Sequence, residues 1–198
     1  MMDAIFYSFS ALIISLLYLP IYIRTRNEDD LKNTVKRKLP IKLVLCFGFG
    51  LLIGADFMAD MPEIPKILAA FSLMLITNYD LLLCRIPTEF LLFFYAAAIT
   101  EAIQHTTIAY GSFCMMIWAV WWIFRQKKII ADYDLWMILP LMIFLNEKKK
   151  ALLFNALFLI LWGIAGLILR KLFRKKPETK IPLVPLMVLA YLLMRRFL

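Results

Sequence analysis

Apolar runs as long as a membrane is thick recur from one end of the chain to the other, and they limit its possible folds more than any other feature. A helical run of about 17–20 apolar residues can cross the hydrocarbon core of a bilayer. We place the runs near residues 4–23, 41–59, 65–83, 87–104, 108–124, 129–145, 151–169 and 181–195. The sequence therefore predicts an all-α fold, a polytopic membrane helix bundle of about eight transmembrane helices.

The composition agrees with a chain that is immersed in lipid. Of its 198 residues, 63% are hydrophobic, against roughly 45–50% apolar residues in soluble domains. No internal repeat or second domain is visible, so the sequence predicts one membrane domain over residues 1–198 with the lipid bilayer as its surroundings. The longest polar segment, residues 24–42, is a short basic loop that is too small to fold alone.

The distribution of basic residues predicts the orientation of the helices, because cytoplasmic loops are enriched in Lys and Arg. With the N-terminus outside, 17 of the 23 basic residues lie inside, in segments 24–42, 84–88, 125–128 and 170–180. We therefore expect a multi-pass protein of the cytoplasmic (inner) membrane with both termini outside. The net charge of +9 then reflects topology and contact with anionic head groups, and nucleic acid is not an expected partner.

The chain lacks the residues that several kinds of catalytic site need. A helix-borne zinc protease site needs two histidines, and the chain has only His105, which we interpret as a solvated loop residue or, alternatively, a base. Ser112 is close in sequence, but nothing near it suggests an oxyanion hole. Cys46, Cys84 and Cys114 lack the paired spacing of a zinc site, and we predict that they are packing residues.

Two carboxylates remain as candidates for chemistry. Asp80 ends a long apolar run in "NYDLLLCRIPTEF", residues 78–90, and Asp134 begins a later run just after the basic "RQKK". In the predicted topology both acids lie at the cytoplasmic end of their helices, at the same membrane depth. Pro87 disfavours helical geometry before it, so we expect a helix break after Asp80.

Two carboxylates that are held close together in a poorly solvated place cannot both ionise easily. One keeps a proton while the other is charged, so the pair provides an acid and a base. The base can take a proton from water while the acid polarises a peptide carbonyl and later protonates the leaving amine. Such a pair would support aspartic proteolysis.

Other interpretations of the same acids stay open. Either acid could be an interfacial anchor or a helix cap, as we interpret Asp56 beside Asp60 and Glu63. Asp132 lies two residues before Asp134 and competes for its role. Intramembrane acids also serve proton-coupled transporters, and a catalytically inactive membrane scaffold of a pilus or secretion system is a further alternative.

These residues resemble the motifs of the type IV prepilin peptidases, a family of polytopic aspartic proteases. Asp80 is followed after five residues by Ile86-Pro87, as in the first family motif, with Thr88 where the family usually has Asn or Asp. Residues 131–134, "ADYD", retain only the Asp of the second motif, Gly-x-Gly-Asp. "KIPLVPLMVLA", residues 180–190, is similar to the Ile-Pro-x-x-Pro segment of the family. The resemblance runs from about the second helix to the C-terminus.

The resemblance implies an aspartic endopeptidase that removes the basic leader from prepilin-like or pseudopilin-like substrates at the cytoplasmic face. It implies Asp80 and Asp134 as the catalytic pair, with no metal or organic cofactor. Larger family members carry a Cys tetrad in a cytoplasmic insertion, associated with N-methylation. Segment 24–42 has no cysteine, so neither zinc nor methyltransferase activity is implied. Tyr133 in place of a glycine requires an ordinary helical backbone or a rearranged entry to the helix.

Overall fold

A computed structural model describes residues 2–26, 39–57, 63–127, 130, 132–173 and 182–197. Within these ranges the chain forms eight helices and no strand, which confirms the predicted all-α fold. The helices are α1 (Met2–Arg26), α2 (Leu39–Phe57), α3 (Ile64–Leu83), α4 (Thr88–His105), α5 (Ile108–Gln126), α6 (Asp132–Leu145), α7 (Lys148–Phe173) and α8 (Val184–Phe197).

Five of the helices in the described ranges, α1, α2, α3, α5 and α7, are long and apolar enough to cross a membrane. The protein is therefore a membrane protein with transmembrane helices. Helices α6 and α8 have 14 residues each, which gives a length of about 21 Å against a hydrocarbon core of about 30 Å. These two helices begin at Asp132 and Val184, shortly after the approximate starts of the runs near 129–145 and 181–195, since residues 130, 182 and 183 are not helical.

The chain divides into two compact units, Met1–Thr100 and Glu101–Leu198. In the first unit α1, α2 and α3 pack against one another, and in the second α6 packs against α5, α7 and α8. Residues 27–38 of the predicted basic loop lie outside the described residues, and its two ends continue α1 and begin α2. The prediction of one membrane domain over residues 1–198 stays a prediction.

Small residues bring α1 and α2 together. Ala4, Ser8 and Ala11 are buried along one face of α1. Gly50 lies so close to Ser8 that an added Cβ would collide with the serine hydroxyl, and a Cβ on Gly54 would lie 3.1 Å from the Cα of Ala4. Two glycines four residues apart let helix backbones approach closely in lipid, where packing replaces the hydrophobic effect as the driving force.

Helix α3 is the most buried helix of the first unit, with every residue from Ser72 to Leu83 buried. Three of its polar side chains donate hydrogen bonds inside the unit. The Asn78 amide donates to Ser15 Oγ at 3.1 Å, and the Tyr79 hydroxyl donates to the Ser15 carbonyl at 3.0 Å. Thr77 donates to its own helix at the Leu73 carbonyl. These bonds satisfy groups that lipid cannot.

Helix α6 is the most buried helix of the second unit, with nine of its 14 residues buried. Two side chains of α5 donate hydrogen bonds to its backbone. The Trp118 indole reaches the Leu135 carbonyl at 3.2 Å, and the Tyr110 hydroxyl reaches the Met142 carbonyl near the other end. Helix α5 therefore fixes α6 both at its start and near its C-terminus.

Candidate active site

Asp80 lies in the last turn of α3 and is fully buried. The helix ends three residues later, where Cys84 takes a left-handed conformation with φ 52°. The Cys84 amide donates to the Asp80 carbonyl at 2.8 Å, a bond that closes the helix C-terminus. The carboxylate is thus held in a defined last turn at a helix end.

The predicted helix break after Asp80 is present. Residues 84–87 are not helical, and α4 begins at Thr88. Pro87 explains this, because its ring disfavours helical geometry at the residue before it. Ile86 and Pro87 are both buried. The Asp-x5-Ile-Pro sequence therefore covers the end of α3 and the short irregular segment that connects α3 to α4.

A lysine of α2 binds the same helix end. Lys42 Nζ donates to the Leu82 carbonyl at 2.7 Å. The last carbonyls of a helix lack intrahelical donors, and a cation there also opposes the negative end of the helix dipole. The sequence does not predict this role, because Lys42 ends the basic loop 24–42 and a single lysine beside an apolar run gives no signal of its partner.

Asp134 lies in the first turn of α6 and is 2% exposed. The adjoining backbone is fixed by the bond from the Trp118 indole to the Leu135 carbonyl, and the Trp118 ring also packs against Trp136 at a centroid distance of 5.6 Å. The first turn of a helix favours a carboxylate through its free amides. Asp134 therefore lies in a buried place that tolerates a negative charge.

Asp132 differs from Asp134 in exposure and in partner. Its side chain is 68% exposed and accepts a hydrogen bond from Arg125 Nε at 2.6 Å. That hydrogen bond holds the pKa of the Asp132 carboxyl below its usual range. Residues two apart on a helix point about 200° apart, which explains why only one of the two acids faces the interior. Asp132 is therefore solvated, whereas Asp134 is buried.

The two candidate acids belong to different units, Asp80 to the first and Asp134 to the second. Each lies at one end of the most buried helix of its unit. Their expected approach, with facing carboxylates at the cytoplasmic boundary, stays a prediction. Tyr133 has the ordinary helical backbone that was one of its two predicted states.

The third motif also lies at a helix start. Pro182 precedes α8, and Pro185 is its second residue. Proline fits the first turn of a helix because the amide that it lacks has no intrahelical acceptor there. Ile181 lies outside the described residues.

Other sequence candidates have mixed outcomes. His105 is exposed, as expected, but it is the last residue of α4, so its interpretation as a loop residue was wrong. Ser112 is exposed on α5. Asp56 is 5% exposed in the last turn of α2, so it is more buried than an interfacial anchor would be. Cys46 and Cys114 are buried packing residues, and Cys84 is half-buried.

No protein-family model, curated protein or solved structure matches this chain.

Proposed function

We propose that the protein is a membrane aspartic endopeptidase that removes the basic leader from prepilin-like substrates at the cytoplasmic face, with Asp80 and Asp134 as the catalytic pair. One observation carries the proposal: each unit buries a carboxylate, Asp80 or Asp134, at one end of its most buried helix. Burying a carboxylate in a membrane protein costs free energy, so such residues commonly serve a function.

Chain connectivity supports the pairing of these two acids. Helices α4 and α5 lie between the end of α3, near Asp80, and the start of α6, near Asp134. If α4 and α5 each cross the membrane, the chain returns at Asp132 to the face that it left at Leu83. Asp80 on an arriving helix and Asp134 on a departing helix then lie at the same face.

The proposed chemistry is that of two carboxylates sharing one proton. When the two groups are close and poorly solvated, the first ionisation raises the pKa of the second. The charged member takes a proton from a water molecule, whose oxygen attacks the peptide carbonyl. The neutral member donates a hydrogen bond to that carbonyl oxygen, and a proton passes to the leaving amine. No metal or organic cofactor enters this scheme.

The basic charge of the inner segments limits how the protein could recognise its substrate. The predicted inner segments are rich in Lys and Arg, so they repel a Lys-rich leader. We propose that the apolar helix of the substrate, which follows the leader directly, docks laterally between transmembrane helices. Replacing that apolar segment with a polar one should abolish cleavage, and unchanged cleavage would exclude this docking mode.

Co-expression with pilin-like proteins tests the proposed reaction through a leader-sized mobility shift. Asp80→Asn and Asp134→Asn should each abolish the shift while membrane insertion is kept. The double variant should be no worse than either single variant, because members of a catalytic unit are not additive. Full cleavage by either single variant would exclude the pair.

A further inference from the structure

A second candidate site lies at the other end of α4 from the Ile86-Pro87 segment. Glu101 and His105 are four residues apart on this helix, so their side chains lie on the same face, one above the other. A carboxylate oxygen of Glu101 and a ring nitrogen of His105 lie within 4.8 Å of each other. Two ligand atoms at this separation can reach one ion with small side-chain adjustments.

Glu101 is more buried than a surface acid would be. It is 7% exposed, and its Oε2 atom has no hydrogen-bond donor among the described residues. A buried carboxylate oxygen without a donor is costly, and a cation bound at that oxygen would offset the cost. The hydroxyl of Thr106, next to His105, is also buried without a hydrogen-bond partner among the described residues.

The backbone around this pair is fixed. Asn146 Nδ2 donates to the His105 carbonyl at 3.3 Å. Asn146 itself takes a left-handed conformation with φ 49° between α6 and α7. The end of α4 is therefore tied to the α6–α7 turn within the second unit. Because the His105 residue is exposed, an ion from solvent can reach it.

We propose that Glu101 and His105 bind a divalent transition-metal ion such as Zn²⁺. Imidazole nitrogen and carboxylate oxygen are both usual zinc ligands, and this donor set also suits Co²⁺ and Ni²⁺. With two protein ligands, water molecules complete the coordination. The ion would balance the buried charge of Glu101 and join two parts of the last turn of α4. The site is independent of the proposed protease, since neither Asp80 nor Asp134 takes part.

Zn²⁺ binding to the purified full-length protein in detergent tests the site by calorimetry and by thermal unfolding. The wild type should bind Zn²⁺ saturably and unfold at a higher temperature in its presence. His105→Gln and Glu101→Gln should each weaken binding by about tenfold or more and remove the thermal shift. Glu89→Gln changes an exposed acid in the first turn of the same helix, and it should bind Zn²⁺ like the wild type.

His105→Gln decides the test even if Glu101→Gln fails to fold, because His105 is exposed and its loss leaves no cavity. Absence of saturable Zn²⁺ binding by the wild type would overturn the site. So would wild-type affinity in His105→Gln, or an equal loss of affinity in Glu89→Gln.

Discussion

Asp132 and Asp134 are separated by one residue and differ in their surroundings. Asp132 is largely exposed and paired with Arg125, whose guanidinium also lies 4.8 Å from the centre of the Trp122 ring. An exposed ion pair of this kind contributes little to stability. Asp134 is buried, so its carboxylate has the desolvated surroundings that acid–base catalysis by a carboxyl pair requires.

The first prediction separates these two acids. Asp132→Ala should retain most leader cleavage, because it removes an exposed ion pair, whereas Asp134→Ala should retain none. The mobility-shift assay measures both variants in the same cells. The reverse outcome would move the active site by two residues and refute the alignment of the second motif.

The second prediction concerns Lys42, which donates to the Leu82 carbonyl at the end of α3. Lys42→Met should lower the free energy of unfolding by about 1.5–3 kcal/mol, as expected for a hydrogen bond to a charged group. Reversible unfolding in mixed detergent micelles measures it. Lys66→Met is the matched control, because Lys66 pairs only loosely with Glu63, 3.6 Å away, at the start of α3. Equal losses in the two variants would contradict a special role of Lys42.

The apolar runs and the prolines predict the positions of most helices correctly. The break at residues 84–87 follows from Pro87, and all eight predicted apolar runs contain helix in the described ranges. Hydropathy could not show which helices are most buried, since the largely buried α3 is less apolar than the largely exposed α7. It also placed the start of α6 too early, because Ile130 counts as apolar although its backbone is not helical.

The third prediction tests the close contact of α1 and α2. Gly54→Leu should lower the free energy of unfolding by about 1–3 kcal/mol, because its side chain would meet the backbone of Ala4 and overpack the interface. Gly48→Leu, on the same helix, should have little effect, since a Cβ there meets nothing within 4 Å. Unfolding in mixed micelles distinguishes them, and a similar loss in both would show that helix packing is not the cause.

The predicted orientation of the protein in the membrane depends on the distribution of its Lys and Arg residues. The positive-inside distribution predicts both termini outside, and this predicted orientation would put Asp80 and Asp134 at the cytoplasmic face. The sequence could nominate these two acids, because ionisable residues within apolar membrane segments are rare. It could not reveal the Lys42–Leu82 bond or the buried state of Glu101, since both depend on contacts that no local pattern encodes.

The fourth prediction tests this orientation with reporter fusions at two positions of the chain. An alkaline phosphatase fusion after Leu198 should be active, because this enzyme folds outside the cytoplasm, whereas a fusion within segment 170–180 should be inactive. Activity of the second fusion with inactivity of the first would reverse the topology and place both candidate acids outside.

The contact between α1 and α2 also has a consequence for biogenesis. These helices leave the ribosome before α3, and their glycine contacts to Ser8 and Ala4 involve only residues already made. Ser15 on α1 and Lys42 on α2 are then already present when α3 is made. Ser15 accepts a hydrogen bond from the Asn78 amide, and Lys42 donates one to the Leu82 carbonyl. A nascent α3 can therefore leave the translocon directly onto a preassembled hairpin, and its polar groups need not cross lipid without their partners.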